Sequence, residues 1–351
     1  MAETVRAATS VLKKAKRVHP AIIDSKSKTQ SIDLRKKGVK HYKAGRKRDA
    51  LILYNKALAI APNDSEEMML AYGNRSAVMF NIRHFTACRL DINTCLAMGC
   101  PKELAMKLKK RSIATLPYLH EELKQRTARN IDINYLFDFE CKRNADVPSA
   151  SADVAFKGDG AKRVTAGKDI RVGAVVAIER AFVTCVTDNN TFTTCYYCNR
   201  MALRLHPCTG CCIALFCDSK CRDLCMKEYH RVECQVVDSL LMLRVYDEPA
   251  SKLMTRSAIK MSLKLGWDAL ITASTEIGTS RMRTATVRQT YNSDEPLSML
   301  SYDDNNYGWF SMSSKLKHSC EPNLMVLGLN DSVGLVALRT IKKGEELTIS
   351  F

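Results

Sequence analysis

A segment of 40 residues, 195–234, contains four close pairs of metal-ligating residues, and we call it the metal segment. Two pairs have the spacing C-x2-C, one has C-x3-C and the last has H-x3-C. Residues this close in the chain can bring both side chains to one Zn²⁺ ion, at about 2.3 Å for a thiolate sulfur. Two tetrahedral zinc ions need eight ligands, which is the number present. The predicted ligands are Cys195, Cys198, Cys208, Cys211, Cys217, Cys221, His230 and Cys234.

Simple burial and disulfide bonding both fit these cysteines less well than metal binding does. Cysteine is often simply buried, but unrelated buried cysteines would not form four regular pairs that include a histidine. Disulfide bonds are typical of secreted chains, and nothing in the sequence indicates secretion. Four protein ligands per ion leave no position open for water, so both zinc ions should be structural and should supply folding energy. Cys212 and Cys225 lie outside the pattern; we expect a surface position for Cys212 and a helix-face position for Cys225.

The composition indicates an intracellular protein of two or three domains. The chain has 351 residues, of which 46% are apolar, enough for buried cores. No apolar stretch approaches the ~20 residues of a membrane span, and no signal peptide precedes residue 30. We therefore expect cytoplasmic and nuclear localisation and no membrane partner.

The N-terminal residues are strongly basic. Residues 1–48 contain 15 Lys and Arg against 3 Asp and Glu. We predict a disordered basic tail over 1–30, followed by the charged face of a helix. Such clusters can also serve as a nuclear address. The absence of interleaved aromatic residues argues against direct nucleic-acid binding.

Residues 31–130 have the pattern of helical repeats. A second repeat unit would end near 99–101, and a helix over 103–119 would cap the stack. Small residues allow two antiparallel helices to approach, with Tyr54 filling the space between them. A generic helical bundle is the alternative. The residues that match a tetratricopeptide unit of about 34 residues are Gly38, Ala50, Tyr54, Ala57 and Pro62.

Four residues of these repeats suggest a partner-binding surface. Lys107 and Arg111 are one helical turn apart and could point the same way. The set resembles the carboxylate clamp by which some tetratricopeptide proteins hold an acidic chaperone tail, although its fifth position, normally Asn, is Val39. A plain basic helix surface is the alternative. The four residues are Arg35, Asn74, Lys107 and Arg111.

A β-rich block precedes the metal segment. We read 131–151 as a linker, after which a glycine-rich turn at 158–160 leads into short β-branched runs. Glycine turns that alternate with such runs are typical of small all-β elements. We therefore predict a β-rich block over 152–194.

A second β-rich block closes the sequence. Residues 306–351 contain the string His-Ser-Cys-Glu-Pro-Asn at 318–323 and a strand-like run over 334–338. The range between the metal segment and this block, 235–305, is predicted as a helical insert. Its clearest helical stretch covers 255–270.

The order and spacing of the metal-ligating pairs resemble the MYND zinc finger. In that family the pairs alternate between two ions, so the resemblance implies two sites of four ligands each. The first, which we call the all-cysteine site, would consist of Cys195, Cys198, Cys217 and Cys221. The second, which we call the histidine site, would consist of Cys208, Cys211, His230 and Cys234.

The two β-rich blocks, with the zinc finger between them, resemble the SET domain of the SET-and-MYND (SMYD) protein-lysine methyltransferases. The most specific strings are those at 318–323 and Gly-Glu-Glu-Leu-Thr-Ile-Ser at 344–350. The repeats ahead of the SET domain point to the branch of the family that carries them. The expected fold is α+β and multidomain: tetratricopeptide repeats, then a β-rich SET fold split by a two-zinc MYND finger and a helical insert.

The resemblance implies a site for S-adenosylmethionine and a channel for a protein lysine. A neutral lysine amine attacks the sulfonium methyl in line, so such an enzyme mainly positions and desolvates its reactants. In that family a glycine-rich turn, here near Gly160, and an Asn-His pair hold the cofactor. His318 keeps its place in the pair, and Asn323 keeps the asparagine that ends the string.

Four departures from the family pattern bear on activity. The Asn before His318 is Lys317, a cation that would repel a sulfonium. The tyrosine that orients the amine is Phe351, which has no hydroxyl, and losing one such group costs about 10²–10³ in rate. The glycine usually found before the basic residue of the turn is displaced by one, to Gly160, and no post-SET segment follows residue 351.

Two functions of different classes are therefore compatible with the sequence. The first is a protein-lysine N-methyltransferase that uses S-adenosylmethionine, impaired by these departures. The second is an inactive adaptor that binds protein partners through its repeats and its MYND finger. Cofactor binding distinguishes the two.

Overall fold

A computed structural model describes residues 26–122, 124, 143–145, 147–157, 163–186, 190–247, 249–265, 284–287, 306–310 and 312–350. Most of the predicted tail over 1–30, most of the predicted linker over 131–151, and both Gly160 and Phe351 lie outside these residues. Among the described residues we find no helix with both the length and the apolar character of a membrane span.

Five helices, which we call the helical part, open the described chain. Ser27 and Ser65 cap α1 and α3, because each side-chain oxygen accepts a hydrogen bond from a backbone N–H three residues ahead. Gly45 and Gly99 take the left-handed conformation, with φ of 78° and 77°, in the turns after α1 and α4. The helices are α1 (Lys28–Lys43), α2 (Lys47–Ile60), α3 (Glu66–Asn81), α4 (Phe85–Ala97) and α5 (Lys102–Ala114).

The first two helices form an antiparallel pair. The Ser31 hydroxyl donates to the Ala57 carbonyl oxygen at 2.9 Å, and further along α1 Gly38 faces Tyr54. A Cβ on Gly38 would lie 2.6 Å from Tyr54 Cε1, so only glycine allows this approach. The structure thus gives Gly38 and Tyr54 the packing roles that the repeat pattern predicts for them.

The helix ends lie close to their predicted positions. α2 ends at Ile60, two residues before Pro62, and α4 ends before Gly99. The capping helix α5 is shorter than the predicted range of 103–119, because a 3₁₀ turn (Leu116–Tyr118) follows it. Aliphatic residues of these helices form one buried cluster with Tyr54.

The β-rich blocks contain most of the strands. β3, β11 and β10 form one antiparallel sheet, β4, β8 and β7 form another, and β9 pairs with β12 in parallel. The strands are β1 (Val154–Lys157), β2 (Arg163–Ala166), β3 (Val175–Arg180), β4 (Val183–Val186), β5 (His206–Pro207), β6 (Leu215–Phe216), β7 (Thr284–Val287), β8 (Asn306–Trp309), β9 (Lys317–His318), β10 (Leu324–Leu329), β11 (Ser332–Ala337) and β12 (Thr348–Ile349).

The two β-rich blocks, far apart in sequence, fold as one unit. β3 of the first block pairs with β11 of the second, and the Leu347 N–H donates to the Val164 carbonyl oxygen at 2.9 Å. Leu335, Leu347 and Val164 lie in the same buried cluster. Because β-branched and aliphatic side chains from both blocks fill this cluster, neither block can bury its apolar face alone.

The metal segment and the insert add three helices and three of the strands, β5 and β6 in the metal segment and β7 in the insert. α6 (Ser219–Cys225) is followed by a π-helical turn (Met226–His230), α7 (Arg231–Met242) and α8 (Pro249–Leu265). α8 begins earlier than the predicted stretch over 255–270. The range 235–305 is also not helical throughout, because β7 pairs with β8 and completes a sheet with β4.

Candidate metal centre and cofactor region

The all-cysteine site lies where a turn, a short strand and a helix meet. Its four sulfur atoms lie within 4.8 Å of one another. Cys217 Sγ is 3.9 Å from Cys198 Sγ and 3.5 Å from Cys221 Sγ. Asp218 caps α6 by accepting a 2.7 Å hydrogen bond from the Cys221 N–H, and this fixes the position of Cys221.

The histidine site joins the β5–β6 hairpin to the end of the π-helical turn and the start of α7. Cys208 Sγ is 3.8 Å from Cys234 Sγ, and Cys211 Sγ is 3.6 Å from His230 Nε2. The site has no room for a side chain at Gly210, where a Cβ would lie 2.6 Å from Cys234 Sγ.

Both sites have the geometry of a tetrahedral metal centre. Two sulfurs at 2.3 Å from one tetrahedral zinc would be about 3.8 Å apart, close to the separations in both sites. Hydrogen bonds from neighbouring thiols, led by Cys198 and Cys211 respectively, hold the pKa values of Cys195 and Cys208 well below the usual range of a thiol. Hydrogen bonds within the same clusters raise the pKa values of Cys198, Cys211 and Cys221, so the thiols of each cluster share protons. Each site therefore offers at least one thiolate, the form in which cysteine binds metals. The grouping is the alternation that the MYND resemblance implies.

A carboxylate that the sequence analysis did not assign holds the histidine ligand. Glu233 Oε2 lies 2.6 Å from His230 Nδ1, and both side chains are fully buried. Burial raises the pKa of Glu233, but Arg256 and His230 outweigh it and hold the pKa well below its usual range. A carboxylate on the second ring nitrogen is the common partner of a metal-bound histidine. The spacing of Glu233, one helical turn after His230, is the signal that could have identified it.

The two remaining cysteines of the metal segment are buried. Cys212 is 7% exposed, so the predicted surface position is wrong. Cys225 is fully buried at the end of α6. Both cysteines lie in the interior of the metal segment, but neither is a member of the two metal-ligand clusters.

A buried ion pair joins the metal segment to the helical part. Arg75 donates to both carboxylate oxygens of Asp91, at 2.7 and 2.8 Å, and neither side chain is exposed. The same guanidinium donates to the carbonyl oxygen of Leu205, in the metal segment, at 2.8 Å. Arg204 adds a 2.9 Å bond to Asp91. Lys26 also donates to the Cys208 carbonyl oxygen at 2.7 Å, so the contact reaches a predicted metal ligand.

The predicted cofactor residues of the second β-rich block lie beside the last strand of that block. β9, which contains Lys317 and His318, pairs in parallel with β12. His318 is exposed, with Nε2 3.8 Å from Cys320 Sγ. The Lys317 ammonium contacts both carboxylate oxygens of Glu346, at 2.8 and 2.9 Å. The cation that we expected to repel a sulfonium therefore has a compensating carboxylate.

Asn323 is buried, and its side chain bonds to the protein itself. Its amide nitrogen donates to the Glu346 carbonyl oxygen at 2.8 Å, and its oxygen accepts from the Thr348 N–H at 2.8 Å. These bonds tie the 318–323 string to the 344–350 string. Asn323 thus shapes the region, and a direct contact with a cofactor stays a prediction.

The four clamp residues lie on three helices of the helical part. Lys107 is exposed, while Arg35 and Asn74 are half-buried. Arg111 donates to the Ser76 hydroxyl at 2.7 Å and to the Gly73 carbonyl oxygen at 3.2 Å. Of the two clamp cations on α5, Lys107 is therefore the one whose side chain faces solvent.

Comparison with known proteins identifies a matching domain family and several relatives. The SET domain model matches residues 47–351. The chain is 26% identical over 264 residues to the protein-lysine N-methyltransferase SMYD4 of Gallus gallus, covering 57% of this chain and 36% of that protein. It is 24% identical over 292 residues to SMYD4 of Danio rerio, covering 78% and 36%. With SMYD4 of Homo sapiens it shares 24% identity over 304 residues, covering 68% and 38%.

The match covers a small share of the relatives' length but a large share of this chain. The chain spans little more than a third of the length of these curated relatives, whereas the family model covers most of the chain. The match to the SET domain model also extends across the metal segment. It includes both β-rich blocks, which pair through β3 and β11 in the structure. The chain therefore belongs to the SET domain family, in its SMYD group.

Proposed function

We propose that this chain is the SET unit of a protein-lysine N-methyltransferase that uses S-adenosylmethionine. The observation that carries the proposal is the SET domain match over residues 47–351, together with the methyltransferase names of its relatives. The pairing of β9 with β12 supports it, because it brings the two most specific strings side by side. Cytoplasmic and nuclear localisation belongs to the same proposal.

The residues around β9 fit a cationic cofactor better than the sequence alone suggests. S-adenosylmethionine supplies a methyl group on a positively charged sulfur. The carboxylate of Glu346 neutralises Lys317, so the pair presents no net charge to that sulfur. Exposed His318 lies on the next position of the strand, and Gly160 would contribute the glycine turn. Phe351 has no hydroxyl with which to orient an amine, so we expect slow turnover.

We propose that both metal sites hold zinc and that the zinc is structural. Each cluster provides four protein ligands of the sulfur and nitrogen types that Zn²⁺ prefers. No position is left for a reacting water in either set. In this MYND-like arrangement, the role of the metal is to fold the segment that connects the helical part to the SET strands.

Calorimetric titration of zinc-loaded protein with S-adenosylmethionine tests cofactor use. We expect one site per chain in the wild type. Lys317→Asn should bind about tenfold more tightly, since it leaves the Glu346 carboxylate as an uncompensated negative charge near the sulfonium. Glu346→Gln should weaken binding by a similar factor, because it leaves Lys317 without its carboxylate.

Lys315→Asn is the matched control, because it removes an exposed lysine two residues away. It should bind like the wild type. If neither the wild type nor Lys317→Asn binds the cofactor while both remain folded and zinc-loaded, the methyltransferase proposal is contradicted and the adaptor function takes its place.

The helical part supports a role in binding protein partners. α1 and α3 are the first helices of two successive pairs, α5 caps them, and the clamp residues come from these three helices. We propose that their basic surface binds an acidic tail through Lys107, whose side chain is exposed. An acidic C-terminal peptide should bind Lys107→Glu at least tenfold more weakly than Lys109→Glu, a control two residues along the helix. Equal affinities would contradict the clamp.

A further inference from the structure

One cation from outside the metal segment reaches the shell around the histidine site. Arg256 lies on α8 and is fully buried. Its Nε donates to Glu233 Oε1 at 2.8 Å, and its Nη1 donates to the Thr184 carbonyl oxygen of β4. The guanidinium carbon lies 4.2 Å from the centre of the Tyr196 ring. Arg256 therefore links the insert, to which it belongs, with both the first β-rich block and the metal segment.

Glu233 is held on both of its oxygens. Oε1 accepts from Arg256, from the Tyr246 hydroxyl at 2.5 Å and from the Tyr196 hydroxyl at 3.2 Å. Oε2 faces His230 Nδ1 at 2.6 Å. With Nδ1 directed at this carboxylate, Nε2 is the nitrogen that faces the thiol of Cys211. The orientation of the ligand ring thus depends on the position of Glu233.

The carboxylate in turn depends on Arg256. A buried carboxylate that loses its cationic partner becomes an uncompensated charge, which is strongly destabilising. The two tyrosine hydroxyls can donate hydrogen bonds but cannot supply the positive charge. Among the described residues, Arg256 is the only arginine or lysine that forms an ion pair with Glu233.

We propose that Arg256 is a positioning residue for the histidine site, and that through it metal binding stabilises α8 against β4. The inference rests on the proposal that the site holds zinc. The proposal predicts that a substitution of Arg256, which is a ligand of neither site, changes the metal affinity of the histidine site but not that of the all-cysteine site. The all-cysteine site contains no histidine, and within the described part of the chain the hydrogen bonds of Arg256 go to Glu233 and Thr184, not to its ligands.

The test uses the full chain, stripped of metal and titrated with Co²⁺ in the presence of a competing chelator. Visible absorption distinguishes cobalt bound to four sulfurs from cobalt bound to three sulfurs and one nitrogen. In Arg256→Met we expect the affinity of the histidine site to fall by about 10–100-fold, with the all-cysteine site unchanged. Arg256→Lys should recover part of the loss, because it keeps the charge but not the planar fork.

Lys252→Met is the matched control. Lys252 is another buried cation of α8, it lies 5.7 Å from the centre of the Tyr196 ring, and it donates to the Val186 carbonyl oxygen at 3.2 Å. Both sites of this variant should keep their affinities within about threefold, well below the loss expected for a metal-site partner.

Each result decides the question. A selective loss at the histidine site, with partial rescue by lysine, supports the proposal. Equal losses at both sites, or no loss at either, would overturn it. If Arg256→Met does not fold, Arg256→Lys alone decides, because a selective loss is still required. Failure of the wild type to bind cobalt at all would instead contradict the zinc proposal.

Discussion

Replacing Cys208 with serine is expected to unfold the metal segment and to loosen its attachment to the helical part. Structural zinc supplies about 10–16 kcal/mol in small zinc modules at neutral pH, which is as large as the ~5–15 kcal/mol stability of a typical domain. Serine does not provide the thiolate that the site needs. The carbonyl oxygen of the same residue accepts a bond from Lys26, which also donates to Ala59 of α2, so its displacement also affects the contact with α2.

Zinc content and thermal unfolding, measured together, check this prediction. Cys208→Ser should lose one zinc per chain and most of the cooperative transition. Cys212→Ser is the matched control, because Cys212 is a buried cysteine of the same segment that belongs to neither cluster. It should keep both metals and lose little stability. A Cys208→Ser protein with wild-type zinc content and unfolding would show that the cluster is not a metal site.

The second large effect is expected at Arg75. Arg75→Met removes the bidentate partner of buried Asp91 and leaves the Leu205 carbonyl oxygen without its donor. Breaking a buried pair by removing one partner typically costs about 3–5 kcal/mol. Arg204 still contacts Asp91, so we expect a cost near the lower end of that range. The free energy of unfolding from chemical denaturation measures it.

An exposed ion pair provides the control for Arg75. Lys37 and Asp33 lie 2.8 Å apart on the surface of α1, with about 58% and 59% of their side chains exposed. Lys37→Ala should cost less than about 1 kcal/mol, as exposed pairs do. If Arg75→Met were as mild as Lys37→Ala, the pair would not be what holds the metal segment to the helical part.

Features with a local pattern were predictable from the sequence. The eight ligands follow from spacing alone, because close pairs are the means by which turns and helices deliver two ligands to one ion. The first helices follow from the repeat pattern, which pairs small Gly38 with Tyr54 on the next helix and places Pro62 just after that helix ends. The grouping of pairs into two sites needed the MYND resemblance, because spacing does not say which pairs meet.

Features that depend on distant contacts were not predictable. Arg256 meets Glu233 across 23 positions, and Glu346 meets Lys317 across 29 positions. Nothing in the local sequence of either partner indicates the other. The Glu346 contact changes the expected effect of Lys317 on a cofactor. The sequence suggests an unpaired cation that repels the cofactor, whereas the structure shows one half of a neutral ion pair. Strand β7 was missed for the same reason, because it is stabilised by β8 and not by its own pattern.

We expect two bound zinc ions to fold the metal segment, which contacts both the helical part and the β-rich blocks. Mass spectrometry of the intact chain under non-denaturing conditions measures the number of bound ions. The folded protein should exceed the mass of the acid-denatured chain by two zinc ions, one for the all-cysteine site and one for the histidine site. A folded, compact protein that carries no zinc would contradict this expectation.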